Sequence, residues 1–234
     1  MRLEEIVPQV FQAPVKRSSV FILNDEKLTL IDAGMPGSGR RILRAVRRVG
    51  RAPDDIDLVI ATHYHYDHIG GLAELRRRTP ARIAVHRAEA PHVSGRERLP
   101  FPIRNRLLSA VLEPLATAFG FRPRPVSVDV TLDDGDELPV LGGMRVVHCP
   151  GHTPGHIALH LPERGVLIVG DALQAPGGHL TRPAAPVTHD MAAAERSIAR
   201  LAELDFEVLC FSHFRPIRRR ARERLRELAA GFRA

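Results

Sequence analysis

The chain has 234 residues, a formal charge of +7, 44% hydrophobic and 5% aromatic side chains, and no tryptophan. That length and apolar content suit a single domain over 1–234 with a sizeable core, while the scarcity of aromatic rings disfavours a stacking platform for single-stranded nucleic acid. No stretch is long and apolar enough for a membrane span, and the start, Met1-Arg2-Leu3-Glu4-Glu5-Ile6, lacks the apolar run of a signal peptide. The expectation is a cytoplasmic protein with no membrane partner.

Val20 to Leu23 and Leu28 to Asp32 read as paired strands joined by the turn Asn24-Asp25-Glu26. A helix follows, with Ser38 as N-cap, Ile42, Leu43, Val46 and Val49 as its apolar face and Gly50 as its stop. The apolar run Leu58 to Thr62 is a buried strand. Gly70-Gly71 lets the backbone pass close to its neighbours before a short helix, Leu72 to Arg78, and a short strand, Arg82 to Val85. This alternation of strand and helix indicates an α/β fold.

Residues 87–127 interrupt the rhythm with many prolines and arginines around an apolar helical patch, Ile103, Leu107, Leu108, Val111, Leu112, Leu115 and Phe119. Such a helical insertion over a site can serve as a lid, as a homodimer contact or as core cover. From Val126 the pattern turns β-rich: Val126 to Val130, Met144 to His148, Ile157 to Leu161 and Val166 to Val169, with turns at Asp134-Gly135 and Gly142-Gly143. Asp190 caps a helix with Ile198, Leu201 and Leu204 on its apolar face. Val208 to Phe211 is a last strand and Arg218 to Ala230 a last helix.

The segment His63-Tyr64-His65-Tyr66-Asp67-His68 places four possible metal ligands within six residues at the end of an apolar strand. His63 and His65, two apart, can converge on one ion, while Asp67 and His68 point elsewhere and can serve a second. Further candidates follow apolar runs: His152 in Pro150-Gly151-His152-Thr153-Pro154-Gly155-His156, Asp171 after Val169-Gly170, and His213 between Ser212 and Phe214. The cysteines, Cys149 and Cys210, lie beside these positions and read as reduced, buried spacers.

With the Leu30-Ile31-Asp32-Ala33-Gly34 turn, these elements resemble the metallo-β-lactamase superfamily over nearly the whole chain, and the ligand pattern resembles glyoxalase II. The resemblance implies a four-layer αββα sandwich. It also implies two metal ions, zinc first and iron or manganese as alternatives, with His63, His65 and His152 on one, Asp67, His68 and His213 on the other, and Asp171 bridging. Neutral imidazoles suit a borderline cation, and two carboxylates offset part of the charge of a dinuclear site. A metal-bridging hydroxide would be the nucleophile, with Asp67 as the catalytic carboxylate that orients it and relays a proton to the leaving group. Asp32 resembles a residue that orients a ligand. His156 reads as a brace of the Pro154-Gly155 turn, and Tyr64 and Tyr66 as packing rings.

The superfamily spans thioester, lactone, β-lactam and phosphodiester hydrolases and iron oxidoreductases, so the shared site names no substrate. Glyoxalase II normally has a helical extension after the last histidine; here only the short stretch to Ala234 follows His213. Acyl-homoserine lactonases often carry Tyr three residues after the bridging Asp, where this chain has Gln174. The leading expectation is a dinuclear hydrolase of an acyl bond, thioester or ester/lactone, in a small molecule. Phosphodiester cleavage in a nucleotide or nucleic acid is the first alternative, because all basic residues except Lys16 and Lys27 are arginine. Their scatter along the chain instead indicates solvated faces and disfavours a nucleic-acid partner. A sulfur dioxygenase using one iron on His63, His152 and Asp171 is the second alternative.

Overall fold

In the computed structural model, which describes residues 2–103 and 105–232, the chain forms two compact units, one ending at Leu132 and the other beginning at Asp133. The first carries β1 (Glu4–Val7), β2 (Val10–Pro14), β3 (Ser19–Asn24), β4 (Leu28–Ile31), α1 (Gly39–Arg48), β5 (Ile56–Ala61), α2 (Tyr66–Ile69), α3 (Leu72–Arg78), β6 (Arg82–His86), α4 (Ala90–Ser94), α5 (Arg106–Ala118) and β7 (Val130–Leu132). Its seven strands lie in chain order in one sheet. The first four are antiparallel hairpin neighbours; β4 to β7 run parallel, with helices in the crossovers.

Strands β3 and β4 are buried throughout except for Asn24, as expected of near-continuous apolar runs. Ile42, Leu43 and Val46 of α1 pack with Val20, Ile22, Leu28 and Leu30 to form the core of this unit. At about 25 cal/mol per Å² of apolar surface removed from water, each such side chain contributes roughly 1.5–3 kcal/mol. Ser38 stands at the N-cap position but its hydroxyl makes no capping bond. Instead the Glu74 carboxylate of α3 accepts the Gly39 N–H at 3.0 Å, an approach that a Cβ at residue 39 would block.

The second unit carries β8 (Glu137–Leu138), β9 (Met144–His148), β10 (Ile157–Leu161), β11 (Val166–Ile168), α6 (Met191–Leu201), β12 (Val208–Cys210) and α7 (Ala221–Ala230). Its sheet has the order β12-β11-β10-β9-β8, parallel only between β11 and β12. Asp190 caps α6, its carboxylate accepting the Ala193 N–H at 3.0 Å. Ile198 and Leu201 of α6 and Leu225 and Ala229 of α7 pack with Leu167, Leu209 and Phe211 into a second core.

Strands β1 and β2 precede the first expected strand pair, and Glu4 and Glu5 of the edge strand β1 face solvent. Two expectations need correction. The strand expected over Val126 to Val130 begins only at Val130: ahead of it the Asp129 carboxylate accepts the Ile83 N–H, and Arg76 donates to the Ser127 carbonyl. The last helix starts at Ala221, not Arg218, because Arg220 adopts a left-handed backbone, φ 53°, at its N-cap.

Asp129 also supplies a pH dependence. Burial raises its pKa, but hydrogen bonds from Arg76 and the Ile83 amide outweigh that and hold the carboxyl below the usual range. A lowered folded-state pKa adds stability at pH values above the unfolded value near 4, and that stability is lost as pH falls through the folded value. For this half-buried pair the contribution is below about 1 kcal/mol. Urea unfolding of the wild type and Asp129→Asn should show a stability gap at pH 6 that narrows by pH 3; a gap that widens on acidification contradicts the assignment.

The apolar patch of 87–127 is helical in α5, with the Asn105 side chain accepting the Leu108 N–H at 3.0 Å. Its apolar side chains are not core: Leu107 is 84%, Val111 62% and Phe119 72% exposed. Among the described residues no helix is long and apolar enough to cross a membrane.

Candidate metal centre

The first set of candidate ligands occupies the loop and short helix after β5. Here β4 and β5 are parallel neighbours with Ile31 opposite Ile60, so the residues just beyond both strand ends meet. Asp32, fully buried, accepts the Thr62 N–H at 2.8 Å through Oδ1, and the Thr62 hydroxyl donates to the same carboxylate at 3.0 and 3.1 Å. With its proton committed there, Thr62 Oγ1 is an acceptor toward His63 Nδ1, 3.0 Å away. The other carboxylate oxygen, Oδ2, accepts from His68 Nδ1 at 2.8 Å. Both rings are thereby fixed with the proton on Nδ1, and Nε2 keeps the lone pair that a metal requires.

The four candidates of this loop lie side by side. The His63 ring centroid is 4.7 Å from that of His65 and 3.9 Å from that of His68, and Asp67 Oδ1 lies 3.8 Å from His68 Nε2. The backbone is pinned at three points: the Ser18 hydroxyl donates to the Asp67 carbonyl at 2.6 Å, Ala33 N–H donates to the His68 carbonyl at 2.6 Å, and the buried Glu89 carboxylate accepts the Tyr64 N–H at 2.7 Å. Gly71 is needed beside it, since a Cβ there would stand 2.2 Å from the Ala33 carbonyl oxygen. Tyr64 and Tyr66 are core rings, as expected. Burial first, and then the Glu89 charge, push the Tyr64 hydroxyl up to about 12, so it stays protonated.

The second set belongs to the other unit. Ile168 of β11 pairs with Cys210 of β12 in parallel register, and Asp171 and His213 each follow three residues later. They therefore face each other, with His213 Nε2 at 3.1 Å from Asp171 Oδ2. The same oxygen lies 3.7 Å from His152 Nε2, so one carboxylate oxygen faces two imidazoles. His152 is set by the loop after β9. Gly151, at φ 139°, packs so closely that a Cβ would approach the Ala194 nitrogen to 2.2 Å. The Thr188 hydroxyl donates to the Ala184 carbonyl at 2.8 Å, so its oxygen accepts from His152 Nδ1, 3.3 Å away, which again leaves Nε2 as the donor atom. Thr62, Glu89 and Thr188 escape a reading of the sequence; their only signal there is a polar residue next to, or in a loop far from, a candidate ligand.

Both sets consist of buried or half-buried imidazoles and carboxylates, and the three rings whose tautomers can be traced all present Nε2. That donor chemistry fits a borderline divalent cation. Cys149 and Cys210 are buried and joined in no disulfide. A family model described as the metallo-beta-lactamase superfamily matches residues 13–213. The chain belongs to the metallo-β-lactamase superfamily.

Members similar to it include the probable metallo-hydrolase YflN of Bacillus subtilis, 32% identical over 200 residues, which are 80% of this chain and 75% of that one. A hydroxyacylglutathione hydrolase of Gloeobacter violaceus is 31% identical over 195 residues, covering 82% of this chain and 62% of its own length. This chain thus spans less than two thirds of that relative. Among solved structures, the metallo-beta-lactamase family protein TTHA1429 of Thermus thermophilus superposes with a TM-score of 0.74 at 26% identity, covering 98% of this chain and 81% of that one. As a superfamily member with metallo-hydrolase relatives, the chain is a metal-dependent hydrolase with the superfamily's mixed α/β fold.

Proposed function

We propose that the chain hydrolyses an acyl bond, a thioester or an ester/lactone, in a small molecule, with two zinc ions held by one ligand set in a single catalytic domain. In this reading His63, His65 and His152 hold one ion, Asp67, His68 and His213 the other, and Asp171 both. The observation that carries it is the shared tautomer of His63, His68 and His152, each with Nδ1 engaged by an oxygen acceptor and Nε2 kept for a cation. Bound divalent ions would supply a Lewis acid for the carbonyl and a source of activated water near neutral pH. Asp67, partly exposed beside His68, orients the attacking water and returns a proton to the leaving group. The similarity to hydroxyacylglutathione hydrolases favours a thioester among acyl substrates.

Phosphodiester cleavage gains little from the arginine excess. Arg76 pairs with Asp129, Arg82 with Asp57, Arg98 and Arg122 with Glu113, Arg182 with Glu195 and Arg200 with Asp134, so these six arginines are already met on the protein. The deciding experiment compares initial rates of the zinc-loaded protein on a thioester, a lactone and a simple phosphodiester, with and without chelator. Chelator-sensitive acyl cleavage with negligible phosphodiester turnover supports the reading; the opposite preference replaces it.

The insertion of residues 87–127 is proposed to lie over the site, with the exposed apolar side chains of α5 contacting the acyl chain. Leu107→Ser combined with Val111→Ser should raise KM for a long-chain thioester by at least about tenfold, since roughly 1–3 kcal/mol attaches to each methylene-sized contact, and leave a short-chain one unchanged. Equal effects on both substrates would remove α5 from the pocket.

A further inference from the structure

Next to Asp171 lies a buried histidine that the reaction does not use. His156 is fully buried, and its side chain links two segments of the second unit. Its Nε2 accepts the Asp171 N–H at 3.1 Å, and its Nδ1 lies 3.1 Å from the Cys149 sulfur. An imidazole nitrogen that accepts from an amide carries no proton, so in the neutral ring the hydrogen sits on Nδ1 and points at Sγ. Burial pushes the Cys149 thiol up, so the sulfur stays neutral and acts as a weak acceptor. The Cys149 N–H donates to the His156 carbonyl at 2.8 Å, which ties both ends of the Cys149 to His156 loop.

We propose that His156 is a positioning residue for the metal centre: locked in its Nδ1–H form by Cys149, it holds the Asp171 amide and thereby fixes the backbone from which the Asp171 carboxylate projects. The proposal rests on Asp171 being a ligand. Asp171 needs such a brace because it follows Gly170, whose left-handed φ of 53° marks a sharp turn out of β11. A turn alone leaves the Asp171 backbone free to tilt; a bond to its own amide removes that freedom without occupying either carboxylate oxygen.

The test measures zinc affinity of the full chain by chelator competition, together with ¹⁵N imidazole shifts of the metal-free wild type. His156→Gln retains an acceptor where Nε2 stood and should bind zinc within about threefold of wild type. His156→Leu removes it and should weaken zinc by roughly 10–100-fold, the range expected for loss of a partner that orients a ligand. The wild-type shifts should report Nδ1–H for this ring. Asp171→Ala serves as the reference. If Asp171→Ala loses zinc while His156→Leu binds as wild type, the inference alone is overturned; if Asp171→Ala itself binds two equivalents normally, the ligand assignment fails and takes the inference with it. Should His156→Leu not fold, the tautomer and the glutamine variant decide: an Nε2–H ring, or a glutamine variant as weak as a lost ligand, rejects the proposal.

Discussion

Asp171→Ala is expected to abolish turnover and release most of the bound metal, with the fold retained. Its Oδ2 faces His213 Nε2 at 3.1 Å and His152 Nε2 at 3.7 Å, so in the proposed ligand set this one oxygen serves both ions. Removing it leaves six ligands to two cations and takes away a negative charge that offsets their mutual repulsion. Loss of a single oxyanion-hole donor commonly costs about 10²–10³ in rate, and loss of a ligand shared by two metals should cost at least a thousandfold. Asp171 is only partly buried, at 13% side-chain exposure, so the metal-free variant should unfold close to the metal-free wild type. Metal analysis, steady-state rates and urea unfolding on the same preparation check this. Two equivalents of metal with full activity would falsify the assignment.

The second large effect is expected at Asp32, which binds no metal in the proposed scheme. Its two oxygens accept from the Thr62 amide and hydroxyl and from His68 Nδ1, all in a fully buried setting. Asp32→Asn keeps the size but presents an amide that cannot satisfy both neighbours. If its NH₂ faces His68, the ring must turn its proton to Nε2 and ceases to be a ligand there. Zinc affinity should fall by roughly 10–100-fold. Asp32→Ala leaves a buried amide and hydroxyl facing a void and should also lower stability by about 1–3 kcal/mol for each group left without its acceptor. The left-handed backbone of Asp32, φ 65°, is tolerated less well by alanine and adds to the loss. Chelator competition and metal-free urea unfolding separate the two effects; unchanged values for both variants would remove Asp32 from the site.

Much of this site is legible without any coordinates, for a definite reason. The residue types able to ligate a metal are few, and four such candidates fall within His63 to His68 directly after an apolar strand. The pair Gly70-Gly71 marks a close backbone approach that the sequence itself announces. What cannot be read is whatever depends on register. Thr188 lies 36 residues from His152, and Glu89 lies 25 from Tyr64, so no local pattern joins them. The edge strand β1 is hidden by the acids at Glu4 and Glu5, which interrupt its apolar pattern. The exposure of Leu107, Val111 and Phe119 is hidden too, because the spacing of apolar residues on a helix is the same whether that face meets protein or water.

The parallel pairing of β4 with β5 has a consequence for how the protein matures. Asp32 is bound to Thr62 and His68 only because Ile31 sits opposite Ile60. A slip of one residue between these strands would move Asp32 by about 3.3 Å and turn its side chain to the opposite face of the sheet. A nascent or partly denatured chain can still present its histidines to zinc, but with both imidazole nitrogens competing and no preferred direction. In the proposed ligand scheme, correct loading would therefore wait on completion of this strand pair, and metal supplied early would be held by the wrong atoms. Refolding with zinc present from the start should yield less correctly assembled protein than refolding first and adding zinc afterwards.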